Sequence, residues 1–78
     1  MINKIKKKIE KPLKEINLVV DSITYENKQL NIILDSDEII DLDKIVEASR
    51  MINKILDQED FIKEKYLLDV SSKEKGDL

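Results

Sequence analysis

The chain contains no cysteine and no histidine. Disulfides, thiolate chemistry, Cys/His zinc sites and imidazole acid–base catalysis are therefore excluded within it. The missing cysteine is compatible with a reducing cytoplasm. One glycine and one proline leave room for few tight turns and little loop. The only aromatics are Tyr25, Phe61 and Tyr66, so the core has to be aliphatic, and thirteen isoleucines are there to build it. No apolar run approaches the ~20 residues needed to cross a bilayer. The lysines near the N-terminus are not followed by the apolar segment of a secretory signal.

Seventy-eight residues allow one domain at most. A chain of this size buries roughly 60–65% of its surface, so its core is thin. Hydrophobic residues make up 41% and charged residues 40%. The first figure suffices for folding, and the second means an almost entirely charged surface. The formal charge of −3 argues against general nucleic-acid binding through bulk charge. The charge is nonetheless segregated. Residues 1–14 carry Lys4, Lys6, Lys7, Lys8, Lys11 and Lys14 against Glu10 alone. Residues 35–47 carry Asp35, Asp37, Glu38, Asp41, Asp43 and Glu47 against Lys44 alone.

Along residues 2–16, Ile2, Ile5, Ile9, Leu13 and Ile16 recur at steps of three and four, which predicts a helix with one apolar stripe. Pro12 falls inside it and predicts a kink. Residues 18–26 are rich in β-branched and aromatic types and read as a strand. Asn27-Lys28 supplies a two-residue turn. Residues 29–34 form the return strand, with Leu30, Ile32 and Leu34 as its core face. An acidic loop over 35–41 leads to Asp41, a good N-cap, with Asp43 in the first turn of the next helix. That helix is predicted from Leu42 to about Asp57, with Leu42, Ile45, Val46, Ser49, Ile52 and Leu56 buried. A polar connector around Phe61 and Ile62 then leads to a strand over 65–72. Its alternation is clear: Tyr66, Leu68 and Val70 on one face, Leu67, Asp69 and Ser71 on the other. The predicted architecture is α+β, a two-layer α-β-β-α-β sandwich with two helices on one face of a small three-stranded antiparallel sheet. Residues 1–72 form the domain, and 73–78 a tail or the start of a linker.

The chemistry-bearing patterns are few. The acids Asp35, Asp37, Glu38, Asp41 and Asp43 suggest a hard-cation loop, but the EF-hand spacing fails, with Ile40 and Val46 where Gly and Glu are required. A helix cap and solvated loop is the reading favoured, and no metal is expected. The lysines of the first helix read as a solvated face, or as phosphate contacts through Lys4, Lys7, Lys8 and Lys11. A membrane anchor would need bulkier apolar residues on that helix. Arg50, the only arginine, is either an anchor at a partner surface or the intradomain partner of Glu47, Asp57 or another acid. Ser49 reads as packing, with its hydroxyl bonded back to the helix. Ser71 and Ser72 read as a strand end whose hydroxyls satisfy backbone groups. A serine nucleophile would have only Lys73 as its base and carries very little weight. RNA binding in the manner of a KH domain lacks its Gly-x-x-Gly loop, since Gly76 stands alone.

Several of these segments together resemble the N-terminal domain of the RimP family of ribosome maturation factors. The closing Tyr66-Leu67-Leu68-Asp69-Val70-Ser71-Ser72 is similar to the family's Tyr-x-Leu-Glu-Val-Ser-Ser strand. Leu30-Asn31-Ile32-Ile33-Leu34-Asp35 resembles its Leu-x-Val-x-Ile-Asp strand. Leu42-Asp43, Ser49-Arg50 and Leu56-Asp57 follow its second helix, and Glu10-Lys11-Pro12 approximates a Glu-Pro pair late in its first. The resemblance departs after Ser72, where the family's Pro-Gly-Leu-Asp-Arg-Pro-Leu joins a second, β-barrel domain. It implies a non-enzymatic, cytoplasmic assembly factor without cofactor or small-molecule substrate. Such a factor binds the immature small ribosomal subunit and helps a ribosomal protein of the decoding region into place, with rRNA as a further partner. On that expectation Asp35, Asp37, Asp41, Asp43, Arg50, Ser71 and Ser72 form the partner surface, the acids facing a basic ribosomal protein. The alternatives are a KH-like RNA binder and a generic protein-interaction domain.

Overall fold

A computed structural model describes residues 2–59 and 62–73 of the chain. Its elements run α1 (Ile2–Glu15), β1 (Val19–Glu26), β2 (Gln29–Asp35), α2 (Leu42–Glu59) and β3 (Leu67–Ser72). Phe61, expected in the connector, and residues 74–78 of the expected tail lie outside the described residues.

Helix α1 is unbroken through Pro12 and buries Ile5, Ile9 and Leu13. It ends in a Schellman motif. Asn17 turns left-handed at φ 64°. Its amide donates to the Lys14 carbonyl at 3.0 Å, and the Leu18 amide donates to Leu13 at 2.9 Å. Leu13 and Leu18 are both buried, which supplies the apolar contact that accompanies this cap.

Strands β1 and β2 form an antiparallel hairpin in which Glu26 faces Gln29. Asn27 and Lys28 both take positive φ, 51° and 59°, as a type I′ turn demands. The register shifts between Val20 and Ser22. This bulge at Asp21 lets Val20, Ile23 and Tyr25 all face the core opposite Leu34, Ile32 and Leu30.

The sheet order is β1-β2-β3, and here the expected antiparallel layer is corrected: β3 runs parallel to β2, so the sheet is mixed. A strand's alternation says which face is buried but nothing about direction. Direction is set by the connection. Helix α2 has 18 residues and β2 has 7, so α2 is about 27 Å long against about 23 Å for the strand. It returns the chain to the start of β2, and β3 retraces it as in any helical crossover.

The core joins Ile5, Ile9 and Leu13 of α1, Leu18, Leu30, Ile32 and Leu34 of the hairpin, and Ala48, Ile52 and Leu56 of α2. Helix α1 packs on β1 and on α2, and α2 packs on β3. The expected stripe of α2 is corrected at its first turns. Leu42 is 75% exposed and Val46 42% exposed, Ser49 is half-buried, and Ala48 is buried instead. Val46 lies one residue, about 100° of helix turn, past Ile45. Ile45, Ala48, Ile52 and Leu56 make the narrower stripe that meets the sheet, with the small Ala48 permitting close approach. Ile45 itself is half-buried.

Candidate functional site

Parallel pairing sets Ser71 beside Ile33 and Ser72 beside Leu34. The two serines therefore lie at the carboxyl end of β2, where Asp35 leads into the acidic loop. In an antiparallel sheet they would occupy the opposite end. Asp35, Asp37, Asp41, Asp43, Ser71 and Ser72 thus share one end of the domain, together with the Asn17 turn.

The loop is built by its own polar groups. The Ser36 amide donates to Asp35 Oδ1 at 2.8 Å, and the Glu38 amide donates to Ser36 Oγ at 3.2 Å. Asn17 Nδ2 donates to Asp37 Oδ1 at 3.0 Å and lies 3.4 Å from Ser36 Oγ, tying the end of α1 to the loop before α2. Asp41 caps α2, accepting the Lys44 amide on Oδ1 at 2.9 Å while its carbonyl accepts from Ile45. Three of the acids therefore have architectural roles. Among the described residues the carboxylates of Glu38, Asp43 and Glu47 have no hydrogen-bond or ion-pair partner. No three carboxylates converge on a common point there.

Beside these acids, the surface carries apolar side chains that the core does not use. Ile39 is 85% exposed, and Leu42 and Val46 accompany it on the first turns of α2. Arg50 lies one turn beyond Val46. It is exposed and forms no ion pair with Glu47 or Asp57 among the described residues. Asp43, Val46, Glu47, Arg50, Met51 and Lys54 line a shallow depression of about 410 Å³ along this flank. The strip from Ile39 to Arg50 was not legible as a unit, because Leu42 and Val46 fit a buried stripe equally well by spacing. The hydroxyls of Ser71 and Ser72 make no hydrogen bond among the described residues, and both residues are exposed.

The lysines of α1 lie elsewhere. Lys4, Lys7, Lys8 and Lys11 are all exposed, and Lys8 Nζ lies 3.8 Å from Glu59 Oε2 at the far end of α2. Lys73 is also engaged. Its amide continues the β2–β3 ladder by donating to Leu34, and its ammonium lies 3.4 Å from Asp21.

At the hairpin end, sequence reasoning missed a tertiary tie. Tyr25 donates its hydroxyl hydrogen to Glu64 Oε2 at 2.6 Å, fastening the segment before β3 onto β1. That bond, with the nearby negative charge, pushes the phenol up to about 12. The two residues are 39 apart in sequence, and neither sits in a local motif that announces the pairing.

The chain is thus a two-layer α+β domain with a self-bonded acidic loop and exposed apolar side chains beside it. Its family is explicit: the RimP N-terminal domain matches residues 4–73, and the chain belongs to that family. RimP proteins are ribosome maturation factors and are not known as enzymes. No curated protein matches the chain. No helix among the described residues is long and apolar enough to cross a membrane.

Proposed function

We propose that residues 1–72 form a cytoplasmic module that binds the immature small ribosomal subunit, and that it does so by docking a basic ribosomal protein on the first turns of α2. One observation carries this reading. Ile39, Leu42 and Val46 stand exposed among Glu38, Asp43 and Glu47, whose charges are uncompensated by any close cation among the described residues. Apolar anchors ringed by one sign of charge suit a partner carrying apolar side chains and the opposite charge. The anchors supply affinity, and the acids steer the encounter and fix its register. Arg50 closes the strip as a planar donor for the partner's carbonyls or carboxylates. Asp35, Asp37 and Asp41 hold the loop that presents Ile39, and Ser71 and Ser72 border the same end of the sheet. No catalytic step, cofactor, metal or small-molecule substrate enters this role.

Co-sedimentation of the chain with small-subunit precursors tests the proposal. Leu42→Ser with Val46→Ser should weaken binding at every salt concentration, by about 5- to 30-fold for a combined loss of ~1–2 kcal/mol. Asp43→Lys with Glu47→Lys should weaken it chiefly at low salt. None of the four side chains bonds to the Asp41 cap and all four are exposed, so the buried core is left intact. Undiminished co-sedimentation of both double variants would remove the α2 surface from consideration.

A further inference from the structure

Six lysines lie on α1, but they do not form one group. Lys4, Lys7, Lys11 and Lys14 are spaced by three, four and three residues. At about 100° per residue they fall within a strip about 80° wide. The strip is centred opposite Ile5, Ile9 and Leu13, which are fully buried. It rises about 15 Å along the helix from Lys4 to Lys14. All four residues are exposed, and none has an ion-pair partner among the described residues. Lys8 sits to one side, facing α2, and is the lysine of α1 that meets an acid there. On the other side, Lys7, Lys11 and Lys14 join Glu10 and Val19 around a groove of about 440 Å³. Val19 belongs to β1, an edge strand of the sheet. The groove therefore runs between a basic helix face and an open strand.

We infer that Lys4, Lys7, Lys11 and Lys14 form a track for the phosphate backbone of single-stranded RNA, bound without base specificity. Each alternative occupant meets an objection. A bilayer needs apolar side chains to insert, and those of α1 are committed to the core. Protein–protein interfaces are depleted in lysine, which loses much side-chain entropy there. A row of mobile point charges suits a repeating phosphate, whose binding is driven by release of counterions. No aromatic side chain lies on α1, so no base is stacked and sequence is not read. The track differs from the sequence expectation in exchanging Lys8 for Lys14, because Lys8 is engaged by Glu59. It stands independently of the α2 surface, which is a different helix with the opposite charge.

Fluorescence anisotropy of a labelled 16-nucleotide uridine RNA with the full chain tests the track. Four phosphate contacts on a single strand give a log–log salt slope of about −2.8, which is about a 50-fold loss of affinity between 50 and 200 mM salt. Lys7→Gln with Lys11→Gln should halve that slope, leaving about a sevenfold loss over the same range. Lys8→Gln should leave the slope at the wild-type value. The inference is overturned by absence of binding at 50 mM salt, by an unchanged slope in the double variant, or by an equal drop in Lys8→Gln. Sedimentation of the chain alone supplies another outcome. Self-association dissolved by the double variant, with RNA affinity intact, would overturn the RNA track and assign the strip to the acidic face of a second copy.

Discussion

The two helices solve the same packing problem and leave opposite surfaces. Helix α1 commits every large apolar residue of its stripe to the interior: Ile5, Ile9 and Leu13 are fully buried, and Ile2 half-buried. Its outer side is then left to lysine. Helix α2 carries more apolar residues than its narrow contact can cover. Ile52 and Leu56 are buried behind Ala48, whereas Leu42 and Val46 remain outside among acids. Amphipathic patterning identifies the helices equally well, yet it separates core from surface only in α1.

The sharpest challenge to this contrast is a pair of truncations on α2. Ile52→Ala removes a fully buried side chain and should cost about 3 kcal/mol, within the ~2–5 kcal/mol range for such cavities. A domain this small has only about 4–12 kcal/mol of stability in total, so the loss would be plain in urea denaturation. Val46→Ala should cost below about 1 kcal/mol, as fits a side chain that keeps 42% of its exposure. Comparable losses at the two positions would mean that Val46 belongs to the core after all, and the proposed docking strip would lose its central anchor.

The ends of the helices differ as well. Helix α1 closes on itself through Asn17 and Leu18, while α2 opens on the carboxylate of Asp41. Asp41→Ala should cost about 1 kcal/mol, the usual value of an N-cap, and should fray the turns that carry Leu42 and Val46. Hydrogen exchange of the first α2 amides is the direct readout. Protection unchanged at those amides would show that the loop, not the cap, fixes the start of α2.

Much of the fold was readable from local pattern. The α1 stripe, the Leu30, Ile32 and Leu34 face, the Asn27-Lys28 turn and the alternation through Val70 depend on neighbours within a few residues, and they fold as the spacing dictates. The kinship to RimP was equally legible, because it rests on short runs such as Tyr66 to Ser72. The features that escaped depend on distance or on competition. The direction of β3 is set by the length of α2, not by anything within 67–72. Ala48 was overlooked because small residues carry little weight in a hydrophobic pattern, although closeness of packing favours them. The acids were grouped by proximity in sequence, whereas the fold divides them into those that build the loop and those that face solvent.

The helices also differ in how each is tied to the next segment of chain. The exit from α1 is held by backbone bonds of its own cap. The segment after α2 is held to β1 through Tyr25 and Glu64, a bond that depends on the proton of a phenol. The phenol's affinity for that proton is raised from its ordinary 10 to about 12 by the hydrogen bond to Glu64. A group whose pKa is raised on folding stabilises the native state in full below its unfolded value, and that contribution disappears as pH rises through the folded value. Wild-type stability should therefore fall between about pH 10 and 12 by more than that of Tyr25→Phe, since the two proteins differ only at this phenol. Below about pH 9 the gap between the two proteins should be constant. Parallel curves across the alkaline range would mean that the tie at the far end of α2 is not held by the phenol proton, and that α2, like α1, is fixed by its own backbone and packing.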